Sequence, residues 1–155
     1  MMVTKEHQLF HITCKGLIFH RNRFLLHRAS DPDFLGALEC PGGRVDKGEL
    51  LEDVLKRELQ EEIGLDLDKT KHVSGLFFIN QRDEVEYDWD DKTQIIEIYY
   101  KIVIPDSLDL HFRELQEVSA FEWIDKKTNL DNFPYRVKSR KKVYKKAQES
   151  LLDQT

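Results

Sequence analysis

The chain has 155 residues, of which 40% are hydrophobic and 34% charged, with a formal net charge of −5. That balance excludes a low-complexity disordered chain and allows one hydrophobic core of ordinary domain size, so residues 1–155 are expected to form a single domain. It holds no apolar run of membrane-spanning length, which argues against a transmembrane helix, and residues 1–8 lack the apolar core of a secretory signal.

The first element expected is a hairpin. Phe10 to Phe19 is β-rich, His20-Arg21-Asn22-Arg23 makes a polar break, and Phe24-Leu25-Leu26 resumes the apolar pattern. Turn formers at Asp31-Pro32-Asp33 and Pro41-Gly42-Gly43 bound a loop. A helix should start near Leu50 or Leu51, with Glu52 and Asp53 in its first turn, where the helix dipole favours anions. Leu51, Leu55, Leu59 and Ile63 step by four and give it a buried stripe, and Gly64 follows as a C-terminal cap.

The same helix carries Glu58, Glu61 and Glu62 at i, i+3 and i+4. These positions share a face, where like charges repel by a few tenths of a kcal/mol per pair, about 0.2–0.5. A hard divalent cation with oxygen ligands, Mg²⁺ or Mn²⁺, would relieve the repulsion.

Further along, Val73 to Ile79 and Ile95 to Ile104 read as strands. In the second, Ile96, Ile98, Tyr100, Ile102 and Ile104 are expected on the buried face, with Glu97, Tyr99 and Lys101 opposite. Between these strands, Gln81 to Thr93 is acidic (Asp83, Glu84, Glu86, Asp88, Asp90, Asp91) and holds Tyr87 and Trp89. Those aromatics could stack on a base, but so acidic a loop repels phosphate, and a solvated excursion is the expectation. A short strand, Ala120 to Ile124, precedes a final helix expected from Tyr135 to Leu152, with Pro134 at its start. Residues 136 to 146 hold seven Lys and Arg and no acid. With no aromatic platform beside it, this run reads as the solvated face of that helix, Val137, Tyr144 and Leu151 pointing inward, so a nucleic-acid partner is not expected. The element order implies an α/β fold: a mixed sheet between helices, an α/β/α sandwich.

The six histidines are scattered without a metal-binding pair spacing, which argues against zinc. Cys14 and Cys40 give no disulfide framework, and a reducing cytoplasm is the expected compartment. Cys40 has no paired histidine motif and reads as a small packed residue.

Residues Gly43, Glu49, Arg57, Glu58, Leu59, Glu61, Glu62, Gly64 and Leu65 occupy all the fixed positions of G-x5-E-x7-R-E-U-x-E-E-x-G-U, with U aliphatic. The segment resembles the Nudix box, and the expected sandwich resembles the Nudix fold. The resemblance implies a hydrolase that cleaves the pyrophosphate linkage of a nucleoside diphosphate joined to another moiety, by water attack on phosphorus. It implies Mg²⁺ (with Mn²⁺ as a substitute) held by Glu58 and Glu62, with Glu61 as a further ligand or general base and the Gly42 carbonyl as a backbone ligand. Glu49 and Arg57 would pair to fix the loop against the helix.

The general base varies within the family. Glu117, shortly before the Glu122-Trp123 pair, is similar to a loop acid that some members use, and Glu114 is a lesser candidate; Glu97 is expected to be structural. Proline and tyrosine markers of ADP-ribose and dinucleoside-polyphosphate members are missing, since Ile79, Asn80, Gln81 and Arg82 stand there. Asp131-Asn132-Phe133-Pro134 loosely resembles the base-contacting end of nucleotide-sanitising members. A small nucleoside triphosphate is therefore the favoured substrate, and homodimers are frequent in the family. The competing readings are a binding or regulatory module, an RNA-decapping enzyme, and isopentenyl-diphosphate isomerase, whose cysteine motif is lacking here.

Overall fold

The computed structural model describes residues 6–85, 93–112 and 118–153. Strand β1 (Leu9–His20) is the spine of a mixed sheet, parallel to β6 (Thr93–Val103) and antiparallel to β2 (Arg23–Ala29). The sheet order is β3-β2-β1-β6-β5, where β3 is Leu38–Glu39 and β5 is Val73–Val85. Two strands join beside that path: β4 (Gly42–Arg44) pairs with β1, and β7 (Val118–Ile124) pairs with β2. The β1–β2 hairpin turns at Arg21 and Asn22, both with positive φ (50° and 55°), the mirror-type turn that matches strand twist.

One helix covers each face. Helix α1 (Leu51–Ile63) buries Leu55, Leu59 and Ile63 against Ile18, Leu25, Ile102 and Ile104, and its Val54 is buried too. Helix α2 (Ser139–Glu149) and the segments flanking it bury Val143, Tyr144, Ala147 and Leu151 against Leu17, Phe19, Phe24, Leu26 and Tyr99. Leu17 and Ile18 fall on opposite faces because side chains alternate along a strand. This is the expected α/β/α arrangement. Gly64 caps α1 in the left-handed region at φ 74°, with its N–H to Gln60 O at 3.1 Å.

Two expectations need correction. In β6 the fully buried positions include Ile95, Glu97 and Tyr99, while Ile96, Ile98 and Tyr100 are only partly buried. Alternation holds, but both faces are covered, so periodicity alone could not say which is deeper. Glu97 survives burial through ion pairs, described below. The last helix is shorter than expected, because residues 136 and 137 form bends and 138 a turn after Pro134 before the helix begins at Ser139. Val137, Tyr144 and Leu151 do point inward, yet Arg140, from the supposedly solvated run, is only 3% exposed.

Candidate active site

The site begins with two glycines on β4. A side-chain carbon on Gly42 would sit 2.0 Å from Cys14 O, and one on Gly43 would sit 2.4 Å from the Glu58 carboxyl carbon. The first contact is with backbone and is forbidden, while the second would force the Glu58 carboxylate to move, so the bare backbone is what lets β4 run between β1 and α1 with Glu58 in place. The Gly42 N–H donates to Glu62 Oε2 at 2.9 Å. Glu58 and Glu62, four residues apart, thus lie together over the Gly42–Gly43 backbone and are partly buried. Glu61 is exposed and makes no hydrogen bond or ion pair among the described residues.

The loop before the helix is tied to it. Glu49 Oε1 accepts the Asp46 N–H at 2.9 Å, and Glu49 Oε2 is paired with Arg57 Nη1. Arg57 Nη2 reaches Glu58 Oε1 at 3.3 Å. Arg57 and the Asp46 N–H hold the Glu49 carboxyl below the usual carboxylate range. Gly48, at φ 88°, makes the turn that brings Glu49 round. Glu49 and Arg57 therefore stand as a pair beside the acidic face.

Among the described residues, no three His, Cys, Asp or Glu side chains converge into a ready-made metal cage. The donor set still suits a hard cation. Mg²⁺ keeps several waters and commonly takes one or two carboxylates together with substrate phosphate oxygens. Glu58 and Glu62, held over a backbone too bare to block approach, supply that number. Glu117 and Glu114 lie outside the described residues, as do Tyr87 and Trp89 of the acidic connection.

On the other face lies a polar cluster that sequence reasoning missed. Glu97, 0% exposed, accepts from Arg140 Nη2 at 2.6 Å and Nε at 2.9 Å, from Arg82 Nη2 at 3.1 Å and from Tyr99 Oη at 3.0 Å. Burial pushes its carboxyl up, but the Arg140 guanidinium outweighs burial and holds it well below the usual range. Arg140 also reaches Glu39 at 3.3 Å. Glu39, Ala29, Ser30, Asp31, Pro32 and Arg136 line a cavity of about 430 Å³. His27, cross-strand from Glu39, is buried with neither ring nitrogen hydrogen-bonded, and burial pushes its pKa down to about 4. Lys15 is partly buried beside this cluster, and burial, then Arg140, lowers its pKa. The available signal was Lys15 itself, a charge inside an otherwise β-rich run. Cys40 is 2% exposed, with a thiol pushed up to about 12 by burial, so it packs and does not attack.

The family model described as "NUDIX domain" matches residues 10–147. The chain belongs to the Nudix family. It is 37% identical over 79 residues to an 8-oxo-dGTP diphosphatase of Escherichia coli, covering 50% of this chain and 54% of that protein. It is 35% identical over 72 residues to an ADP-ribose pyrophosphatase of Methanocaldococcus jannaschii, covering 46% of this chain and 42% of that protein. The matched region thus spans about half the length of these curated relatives. In fold, the Nudix chain is similar to the E. coli dihydroneopterin triphosphate pyrophosphohydrolase, with a TM-score of 0.70 and 15% identity over 92% of this chain and 99% of that one. At that identity the likeness is one of fold.

Proposed function

We propose that this Nudix chain, a single domain over residues 1–155, is a cytoplasmic metal-dependent pyrophosphohydrolase. Its substrate is a small nucleoside triphosphate or related nucleotide, cleaved to nucleoside monophosphate and pyrophosphate. The observation that carries the reading is the gathering of Glu58 and Glu62 over the Gly42–Gly43 backbone. The partial match to an 8-oxo-dGTP diphosphatase supports the substrate class.

Mg²⁺, with Mn²⁺ as a substitute, is the proposed metal, held by Glu58 and Glu62 and, in part, by Glu61 and the Gly42 carbonyl. When bound, such a cation neutralises phosphate oxygens and lowers the pKa of water. The protein's own contribution is placement. Gly42 fixes one oxygen of Glu62, and the Glu49–Arg57 pair fixes the loop against the helix beside Glu58. Glu61, solvent-facing, or Glu117 takes the proton from the attacking water.

The test is hydrolysis of a panel with Mg²⁺ and with chelator, resolving monophosphate, pyrophosphate and orthophosphate. It should hold canonical and oxidised nucleoside triphosphates, ADP-ribose, dinucleoside polyphosphates and capped RNA. Metal-dependent release of monophosphate and pyrophosphate from a triphosphate, absent in Glu62→Gln, is expected. No turnover of any triphosphate would overturn the reading.

A further inference from the structure

The α2 face of the sheet carries three cations deep beside the Glu97 cluster, and they differ in one respect. Arg140 is committed to Glu97 and Glu39, and Arg82 to Glu97. Lys15, partly buried, makes no hydrogen bond and no ion pair among the described residues. Cations taken out of water without a hydrogen-bonded partner cost stability, so such an arrangement suits an anionic ligand.

The position of Lys15 says which anion. On β1, Lys15 is the cross-strand partner of Gly42, whose N–H holds Glu62. It lies level with Tyr99 of β6 and so projects on the face of Tyr99 and Glu97, toward α2. The carboxylates whose fields reach Lys15 are Glu97, Glu39 and Glu62. Glu97 is already matched by two guanidiniums, Glu39 is shared with Arg140, and Glu62 turns to the Gly42 N–H.

We infer that Lys15 binds an anionic phosphate oxygen of the substrate where its phosphate chain passes from the α1 acids toward the α2-side cavity lined by Glu39. This rests on the hydrolase reading for the identity of the ligand, but not for the existence of the site. Lys15 is then a substrate-binding residue outside the box, and its ammonium gains a hydrogen-bonded anion when substrate is present. A charge-assisted contact of this kind makes a difference of about 10- to 100-fold in binding.

The experiment measures binding of an α,β-imido nucleoside triphosphate, which resists cleavage, to the full chain with Mg²⁺ by calorimetry. Lys15→Met and Lys15→Arg are compared with wild type, and thermal melting is recorded without ligand. Lys15→Met should weaken binding at least about 10-fold, Lys15→Arg should stay near wild type, and Lys15→Met should melt at or above the wild-type temperature. With a turned-over substrate, Lys15→Met should raise KM more than it lowers kcat. Unchanged binding in Lys15→Met, or a clear fall in its melting temperature, would overturn the inference; the latter would make Lys15 a structural counter-charge to Glu97, Glu39 and Glu62. Binding that depends on Lys15 without turnover of any triphosphate would retain this site and remove the hydrolase reading. Turnover with KM unaffected by Lys15→Met would do the reverse.

Discussion

The backbone N–H of Gly42 donates to Glu62 Oε2 at 2.9 Å, so a strand only three residues long and the last turn of α1 are held together by a candidate metal ligand. The bond uses one carboxylate oxygen of Glu62 and fixes the direction of the other. Glu62→Gln keeps an acceptor for the Gly42 N–H and removes the charge. Its melting temperature should stay close to wild type while metal-dependent turnover falls at least about 100-fold. Retention of more than a few per cent of the wild-type rate would remove Glu62 from the ligand set.

Gly43→Ala places a methyl group 2.4 Å from the Glu58 carboxyl carbon. The nearest atoms belong to a partly buried side chain, so Glu58 has to swing away for the chain to fold. The expected result is a folded protein with little activity and weakened Mg²⁺ affinity, measured by metal titration of the rate. Wild-type metal dependence would show that Glu58 does not need its observed place.

Arg57→Lys keeps a positive charge but loses the fork that spans Glu49 and Glu58. Because the pair is solvent-accessible, stability should change by less than about 1 kcal/mol. Turnover should fall roughly 10-fold because loop and acid are no longer held in one geometry. A rate loss with an unchanged denaturation midpoint would separate positioning from folding.

His27 gives a pH signature. Its folded-state pKa is depressed to about 4 from 6.5, so the unfolded chain binds the proton first. Stability from this residue is complete above pH 6.5 and is lost as the pH falls from 6.5 toward 4, a change on the order of 3 kcal/mol. Urea denaturation of wild type and His27→Leu across that window should show a slope in the first that is reduced in the second. Equal slopes would mean that His27 stays solvated.

Arg140→Met should be the most damaging single change on the α2 face. It leaves Glu97 buried with Arg82 as its hydrogen-bonded cation and Lys15 nearby, and breaking a buried pair costs about 3–5 kcal/mol. The double variant Glu97→Leu/Arg140→Met should recover part of the loss in chemical denaturation. If Arg140→Met alone is as stable as wild type, the pair is not what holds α2 to the sheet.

The part of this molecule legible in the sequence is the part governed by local rules. Helix α1 could be placed because Leu55, Leu59 and Ile63 repeat at helical spacing and Gly64 ends it in the left-handed region. That Glu58, Glu61 and Glu62 share one helix face followed from spacing, and the choice of Glu58 and Glu62 among them, with the Glu49–Arg57 pair, from the resemblance. The Glu97–Arg140 pair was not legible, because its members are 43 residues apart and each looked solvent-bound on its own strand or helix. Lys15 escaped for the same reason: its setting is made by β4, β6 and α2, and no local pattern encodes all three.

A sheet covered on both faces also partitions the molecule. Residues of β1 alternate between the two sides, so Cys14 and Gly16 answer to the helix that bears the acids, while Thr13, Lys15 and Leu17 answer to the opposite layer. A substitution among the second set acts on the side where Glu39 and Arg136 line the cavity, while the box helix packs on the other face. Such a scaffold can be retuned on one side while the other is left alone, and libraries at Lys15, Glu39 and Arg136 are the place to begin.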